Sequence, residues 1–574
     1  MSLPSPHTIA LLTESLADEY EVALLQGVLA VARREDVQIL CVAAGSVGNP
    51  DPEVSAGNFA FDLIGAHNVS GIVSVSSVLG GSVGADGLRS WLEGYGDLPI
   101  CTVGVPFGDR PCIQVDNVSG AQEVARHLIE THGARRIAYL RGPQGSVEAA
   151  SRFQAYEAAL TDAGIDVDPR YIVGGDFTIS SGVQAIRTLL DERGIRLALL
   201  DAVVAANDRM ALGALEEMKR RHIEVPDQVA VVGFDDIESA ELAQPPLTTV
   251  VQPIEELGRR SLEMLIGMIS GNPVSSGTLP TQVTLRRSCG CSAQSIGAAL
   301  SDRPRSPVGI SFSQCRPVAI AELARAARGQ FGAAGRGWEE RLFDALVADV
   351  RDKRQALFNR TLEALMHKVE RSIAHTNIVQ DVLSALRQQL LLCVDSAMRD
   401  RLEEVVGAAR VFAGTLSSQL ETARRQRTAN QVREFRMSLL TVLADGRDAL
   451  SRVASEMLPE LGVSGAVVTA LAAPGDVAAD ATVLFDFGST GAPAPFQPKP
   501  LSLILRQQVE GPSTRFLVTL PIVLRGQAVG LAILSLTRFD RTLMQEFRDT
   551  LTILLTMHHL APPSVRQTIS PRSR

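Results

Sequence analysis

The chain has 574 residues and a formal net charge of −9, with 45% hydrophobic and 21% charged residues. That length exceeds what one hydrophobic core supports, so several domains of ordinary globular composition are expected, and a disordered or fibrous chain is excluded. The acidic balance gives no overall attraction to nucleic acid or to an anionic membrane.

From residue 7 onward, strand-like apolar runs alternate with amphipathic helical ones. His7–Thr13 reads as a strand, and Glu19–Glu35 as a helix with Val22, Leu25, Val28, Leu29 and Ala32 on one face. Val37–Ala43, Ile72–Ser76, Ile100–Val103, Ile137–Leu140, Ala202–Ala206 and Val229–Phe234 continue the strand series. Helical stretches at Gly120–Thr131, Ser151–Ala163 and Ser181–Arg193 lie between them. Regular βα alternation predicts parallel sheets covered by helices on both faces. Two such lobes are legible, one to about residue 115 and a second to about 245, with Thr248–Gln252 crossing back. A cleft between two lobes that closes on a ligand is a hinge switch.

Residues 292–316 carry Ser, Pro and Arg without periodicity and read as a linker. A helical connector follows over 317–435. Its stripes are Leu342, Leu346, Val350, Leu357, Leu365, Val369 and Ile373, then Leu402, Val405, Ala409, Phe412, Leu416 and Leu420. Narrow stripes suit helices paired in a bundle or in a dimeric coiled coil, and equally a self-contained helical domain. An α+β segment is expected over 436–560: helix Arg447–Leu461, strands Ala466–Leu471, Phe516–Pro521, Ile522–Leu524 and Ala528–Leu536, and helix Asp540–His558. Residues 561–574 read as a disordered tail.

No basic n-region with an apolar stretch opens the chain, and no apolar run is long enough to span a bilayer, so a cytoplasmic location without membrane contact is expected. Seven cysteines, an odd number, suit unbridged thiols in a reduced compartment. Cys289-Gly290-Cys291 could hold a metal with Cys315, but no histidine is near in sequence and C-x-x-C spacing is missing. The reading adopted is a domain-end strand with incidental thiols, and no metal or cofactor. Nucleophile-elbow, zinc-protease and P-loop patterns are missing, so an enzyme is not expected. Gly80–Gly84 reads as a mobile turn and His375 as a structural or solvent-facing residue.

The most specific text is Ala205-Ala206-Asn207-Asp208-Arg209-Met210-Ala211, then Val231-Val232-Gly233-Phe234-Asp235-Asp236, then Pro245-Pro246-Leu247-Thr248-Thr249. Apolar runs that end in carboxylates or carboxamides put polar groups at the carboxyl ends of parallel strands, where open α/β sheets bind ligands. The order and spacing resemble the effector-binding domain of the LacI/GalR family, a two-lobed periplasmic-binding-protein-like α/β fold, over residues 7–291. The resemblance implies a small-molecule effector, sugar- or nucleoside-like, held by Asp116, Arg152, Phe177, Asn207, Asp235 and Gln252. Arg152 would grip vicinal hydroxyls or a carboxylate, and Phe177 would stack on a sugar face. Ser15, Tyr20 and Ser76 are the first-lobe candidates. Val75 stands where some sugar-responsive relatives carry a polar side chain, which points away from a simple hexose. Each candidate has an alternative: an internal salt bridge for Arg152 and Asp235, a strand-end hydrogen bond for Asn207. Asp208 is expected to cap the helix starting at Met210, and Asp236 and Glu238 to cap or face solvent.

The hairpin Thr519–Leu534 resembles the late strands of a GAF domain. Ile9-Ala10-Leu11-Leu12, Gly57–Leu63 and Arg286–Cys291 resemble bacterial multidomain signalling proteins in which such a sensor precedes helices, GAF modules and an output enzyme. No headpiece pattern precedes residue 8, and no G-G-D-E-F or kinase ATP lid is present. The expectation is therefore a ligand sensor that is a homodimer and signals through helices to a GAF-like module and a partner protein, with direct DNA contact not expected. The alternative is a regulator that touches DNA outside a usual headpiece. Arg424, Arg425, Arg427, Arg433 and Arg436 could meet phosphates but read as a solvated helix face.

Overall fold

A computed structural model describes residues 7–291, 311–327, 331, 335–351, 357–368, 375–442, 447–478, 480–487, 498–510, 516–537, 539 and 541–560. The chain divides into two compact units, residues 1–290 with 428–574, and residues 291–427.

In the first unit the initial strands are β1 (Thr8–Thr13), β2 (Gln38–Ala43), β3 (Gly71–Ser74), β4 (Ile100–Val103) and β5 (Cys112–Val115). All run parallel. β1 and β2 are buried along their whole length, because helices cover both faces and leave no solvent side for an alternating pattern. The second lobe is a parallel sheet of β6 (Ile137–Leu140), β7 (Ile172–Val173), β8 (Ala202–Ala205) and β9 (Ala230–Val232), in the order β7-β6-β8-β9. β10 (Thr249–Val251), β11 (Gly277–Leu279) and β12 (Gln282–Thr284) belong to the crossings: β10 pairs antiparallel with β12, and β11 returns to pair with β5. The two-lobed α/β expectation stands. Helix Glu19–Glu35 has the bounds read from sequence, whereas helix Val147–Asp162 starts four residues before its expected Ser151. Gly80 closes a single helical turn, Ser76–Leu79, and helix Gly84–Glu93 follows.

The rest of this unit is β13 (Val463–Leu471), β14 (Ala481–Phe487), β15 (Phe516–Leu524) and β16 (Gln527–Leu536), with helices Arg447–Met457, Leu501–Val509 and Arg541–Leu560. The strands are antiparallel in the order β15-β16-β13-β14. β14 and helix Leu501–Val509 add to the expected elements, and Phe516–Leu524 is one strand rather than two. β15 pairs parallel with β2, matching Phe516 to Ile39 and Val518 to Cys41, so the two modules share one ten-stranded sheet. On one face Ile9, Leu11, Ile39, Cys41, Phe516, Val518 and Leu520 form a continuous core; on the other, Ala10, Leu12, Leu40, Val42 and Leu517 do.

The second unit is helical: Phe312–Ala326, Trp338–Arg351, Leu357–Lys368, His375–Leu390 and the first part of Ser396–Val442. The expected stripes fill its own core, with Leu342, Leu346, Leu402 and Ala409 fully enclosed. In-chain packing therefore buries residues that a two-chain seam would need. Val369, Ile373, most of the 292–316 linker and the 561–574 tail lie outside the described residues, as does the side chain of His375.

Candidate functional site

The strand ends of the two lobes converge on Arg152. Helix Val147–Asp162 carries it inward, and only 3% of the residue is exposed. Its Nε donates to Asn117 Oδ1 at 2.7 Å and its Nη1 to the Ala206 carbonyl at 2.7 Å. The guanidinium lies 3.8 Å over the Phe234 ring, and Nη1 is 3.6 Å from Asp235 Oδ1. Asp235 follows β9 in an unusual backbone conformation, φ 130°, which turns its carboxylate toward the crossing strand. There it accepts a hydrogen bond from Gln252 Nε2 at 2.6 Å. Burial pushes the Asp235 carboxyl up, against the opposing pull of Arg152. The Gln252 Oε1 is buried and has no hydrogen-bond partner among the described residues.

Asn207 and Phe177 close one side of the group. Asn207 caps helix Asp208–Arg220 by accepting from Met210 N at 3.0 Å, while its Nδ2 donates to the Phe177 carbonyl at 3.2 Å. The Phe177 ring fits only because residue 142 is glycine: a Cβ there would lie 2.4 Å from the ring. The cap is thus Asn207, and the expectation of Asp208 in that role is corrected. Asp208 is wholly buried, accepts from Thr249 Oγ1 at 2.5 Å and Ile237 N at 3.1 Å, and is pushed up to about 7 by burial. Asp236 pairs with Arg286 at 2.6 Å instead of capping.

From the first lobe, Tyr20 joins the group. Its hydroxyl stands 3.5 Å from Ser77 Oγ, and burial, with the charges of Glu148 and Asp235, raises its phenol. Three other expected residues are occupied elsewhere. Asp116 accepts from the backbone N–H of Val118 and Ser119, both at 3.0 Å, and the Ser119 hydroxyl, with these backbone bonds, holds its carboxyl below the ordinary value. The Ser15 hydroxyl accepts from Ala17 N at 3.1 Å within its own loop, and Ser76 is enclosed with its Oγ 3.0 Å from Ser74 Oγ.

Neighbours of the expected residues take part instead. Asn117, next to Asp116, bridges Arg152 and Glu148, with Nδ2 3.4 Å from Glu148 Oε1. Glu148 is 6% exposed and lies four residues before Arg152, on the same helix face. That i,i+4 relation was the available signal, hidden because the helix was expected to start at Ser151. Two contacts join the lobes at the rim: Arg209 pairs with Asp18, and Glu19 accepts from Ser239 N at 2.9 Å and Ser239 Oγ at 2.5 Å.

No described helix is long and apolar enough to cross a membrane. The Arg433 side chain is exposed, Arg436 pairs with Glu546, and the side chains of Arg424, Arg425 and Arg427 lie outside the described set.

The family model for a periplasmic binding protein-like domain matches residues 125–289. The chain is 44% identical over 177 residues to the HTH-type transcriptional regulator CelR of Thermobifida fusca, 31% of this chain and 50% of that protein. It is 30% identical over 274 residues to the HTH-type transcriptional repressor CytR of Escherichia coli (strain K12), 47% of this chain and 75% of that protein. The chain thus spans about half of the first relative and three quarters of the second. A solved CelR–cellobiose complex is 32% identical, covering 50% of this chain and 86% of that one, with a TM-score of 0.42.

Proposed function

Because the chain belongs to the LacI/GalR family of transcription regulators, we propose that its cleft binds a small polyhydroxylated effector, sugar- or nucleoside-like, and that occupancy shifts the balance between open and closed lobes. The observation that carries this reading is the enclosed Arg152 hub with its polar neighbours, including the buried Gln252 Oε1 that lacks a donor. A ligand hydroxyl or amine would supply that donor. An effector acts only if it favours one lobe arrangement over the other, because equal binding shifts nothing.

The reading extends to a relay. The effector domain would act through the helical unit and the 436–560 module on a partner protein, in a homodimer. Support for a GAF-like module comes from the antiparallel order β15-β16-β13-β14 flanked by helices Arg447–Met457 and Arg541–Leu560. The names of the relatives favour a second reading, regulation through direct DNA contact. The two separate by salt: contact with Z phosphates gives a slope of about −0.9Z in log K against log salt, and a partner-coupled sensor gives no duplex binding.

The test is a thermal-shift screen of sugars, nucleosides and polyols on the full chain, followed by calorimetry of hits with Arg152→Ala and Gln252→Ala. A hit weakened at least tenfold in both variants is the expected result. A hit that binds both variants as tightly as the parent places the effector elsewhere and overturns the reading.

A further inference from the structure

His127 and His132, at the end of helix Ser119–His132, stand more than 150 residues before the Cys289-Gly290-Cys291 tripeptide. The fold brings them together. His127 Nε2 is 3.2 Å from His132 Nε2 and 3.7 Å from Cys289 Sγ, and the ligand atoms of all four residues lie within 4.8 Å of one another. We propose that His127, His132, Cys289 and Cys291 form a site for a thiophilic divalent cation, zinc by its ligand set.

Two of the spacings, 3.2 Å and 3.7 Å, fit tetrahedral coordination. Zn–N bonds of about 2.05 Å and Zn–S bonds of about 2.3 Å make tetrahedron edges of about 3.3 Å between nitrogens and about 3.6 Å between nitrogen and sulfur. A hydrogen bond between the two rings accounts for one contact, and the Cys289 thiol, which also donates to the Arg286 carbonyl at 3.4 Å, lies against the same Nε2. Two imidazoles with two thiolates also match the preference of zinc among available metals.

The surroundings prepare the ligands. The other nitrogen of His127, Nδ1, is 3.3 Å from the Thr131 hydroxyl, which would set the ring's tautomer and angle. Cys289 is buried in a short 3-10 turn, Arg287–Cys289, and its Sγ lies 3.1 Å from the Thr248 hydroxyl. Ser288 anchors that turn by donating its hydroxyl to Val231 O at 2.6 Å and accepting from Thr248 N at 2.7 Å. Gly290, at φ 102°, adopts a conformation that other residues resist, and a Cβ there would sit 3.3 Å from His132 Cε1. The glycine lets the tripeptide fold around the imidazole. The expected domain-end strand is thus a turn, and Cys315, the partner considered from sequence, is not in the group. A cation here would staple helix Ser119–His132 to the point where the chain leaves the effector domain.

The test uses the full chain, purified untagged under reductant, with metal content measured by mass spectrometry and Co(II) added as an optical probe. Expected are one zinc per chain and a cobalt spectrum with intense tetrahedral bands and thiolate charge transfer. Cys289→Ser and His127→Gln should each lower zinc content at least tenfold, and Cys393→Ser should leave it unchanged. If a variant does not fold, the cobalt spectrum of the parent decides. No metal at stoichiometric addition, or a pale octahedral spectrum without charge transfer, reduces the cluster to a hydrogen-bonded histidine pair and overturns the proposal.

Discussion

Arg152 is almost fully enclosed, so its charge must be met by fixed groups instead of water. Asn117, the Ala206 carbonyl and Asp235 do this, and the planar fork reaches the first two in different directions. A lysine cannot copy that geometry. Arg152→Lys is therefore expected to keep the fold and to weaken effector binding by about 10- to 100-fold, the worth of one charge-assisted hydrogen bond. Unchanged affinity in calorimetry would remove Arg152 from the site. Asp208 gives a pH effect of defined sign. Folded, it keeps its proton up to about pH 7; unfolded, it releases it near its ordinary 3.8. Between these values the folded chain holds more protons, so stability falls as pH rises through the window. Melting temperatures from pH 5 to 8 should decline, and Asp208→Asn should flatten the decline. Equal slopes for the two proteins would show that Asp208 ionises freely. Glu217, held below its usual range by Arg220 and Arg221, acts with the opposite sign only at more acid pH.

At the level of elements, the junction of β2 and β15 sets how the modules share stability. β2 is an edge strand of the first-lobe sheet, and an uncovered edge invites pairing with other chains. Here β15 covers it, and Leu517 enters the same core face as Leu40 and Val42. Leu517→Ala should cost about 2–5 kcal/mol, the range for an enclosed leucine. Its effect should reach the amides of Gln38–Ala43 as faster hydrogen exchange. Loss of protection confined to β15 and β16 would mean that the modules fold independently.

At the scale of the whole two-lobed domain, contacts at the rim help set how the lobes meet. Asp18–Arg209 and Glu19–Ser239 join the lobes across the rim, the first with Arg209 partly exposed. A surface pair of this kind contributes about 0.2–1 kcal/mol. Arg209→Ala should therefore open the lobes slightly and weaken an effector that prefers the closed form by no more than about fivefold. Small-angle scattering should show a larger free domain and the same ligand-bound one. Identical free-state dimensions in parent and variant would mean that the ion pair plays no part in closure.

Sequence alone determined the alternating elements of residues 7–291, because each strand is a short apolar run bounded by turn residues and each helix repeats its apolar face. It also named Arg152, Asn207, Asp235 and Gln252, through the resemblance of the segments that carry them, and the structure brings Arg152, Asp235 and Gln252 into mutual contact. What it did not decide depends on a choice between adjacent residues or between distant ones. Whether Asp116 or Asn117, Ser76 or Ser77 faces the cleft turns on one step of backbone rotation at a helix start. Asp116 is drawn off by two backbone donors that exist only once helix Ser119–His132 has formed. The pairing of β2 with β15 and the meeting of His127 with Cys289 join segments far apart in the chain, and no local pattern encodes them. Such contacts are decided by which buried faces fit one another, and only the tertiary structure determines that.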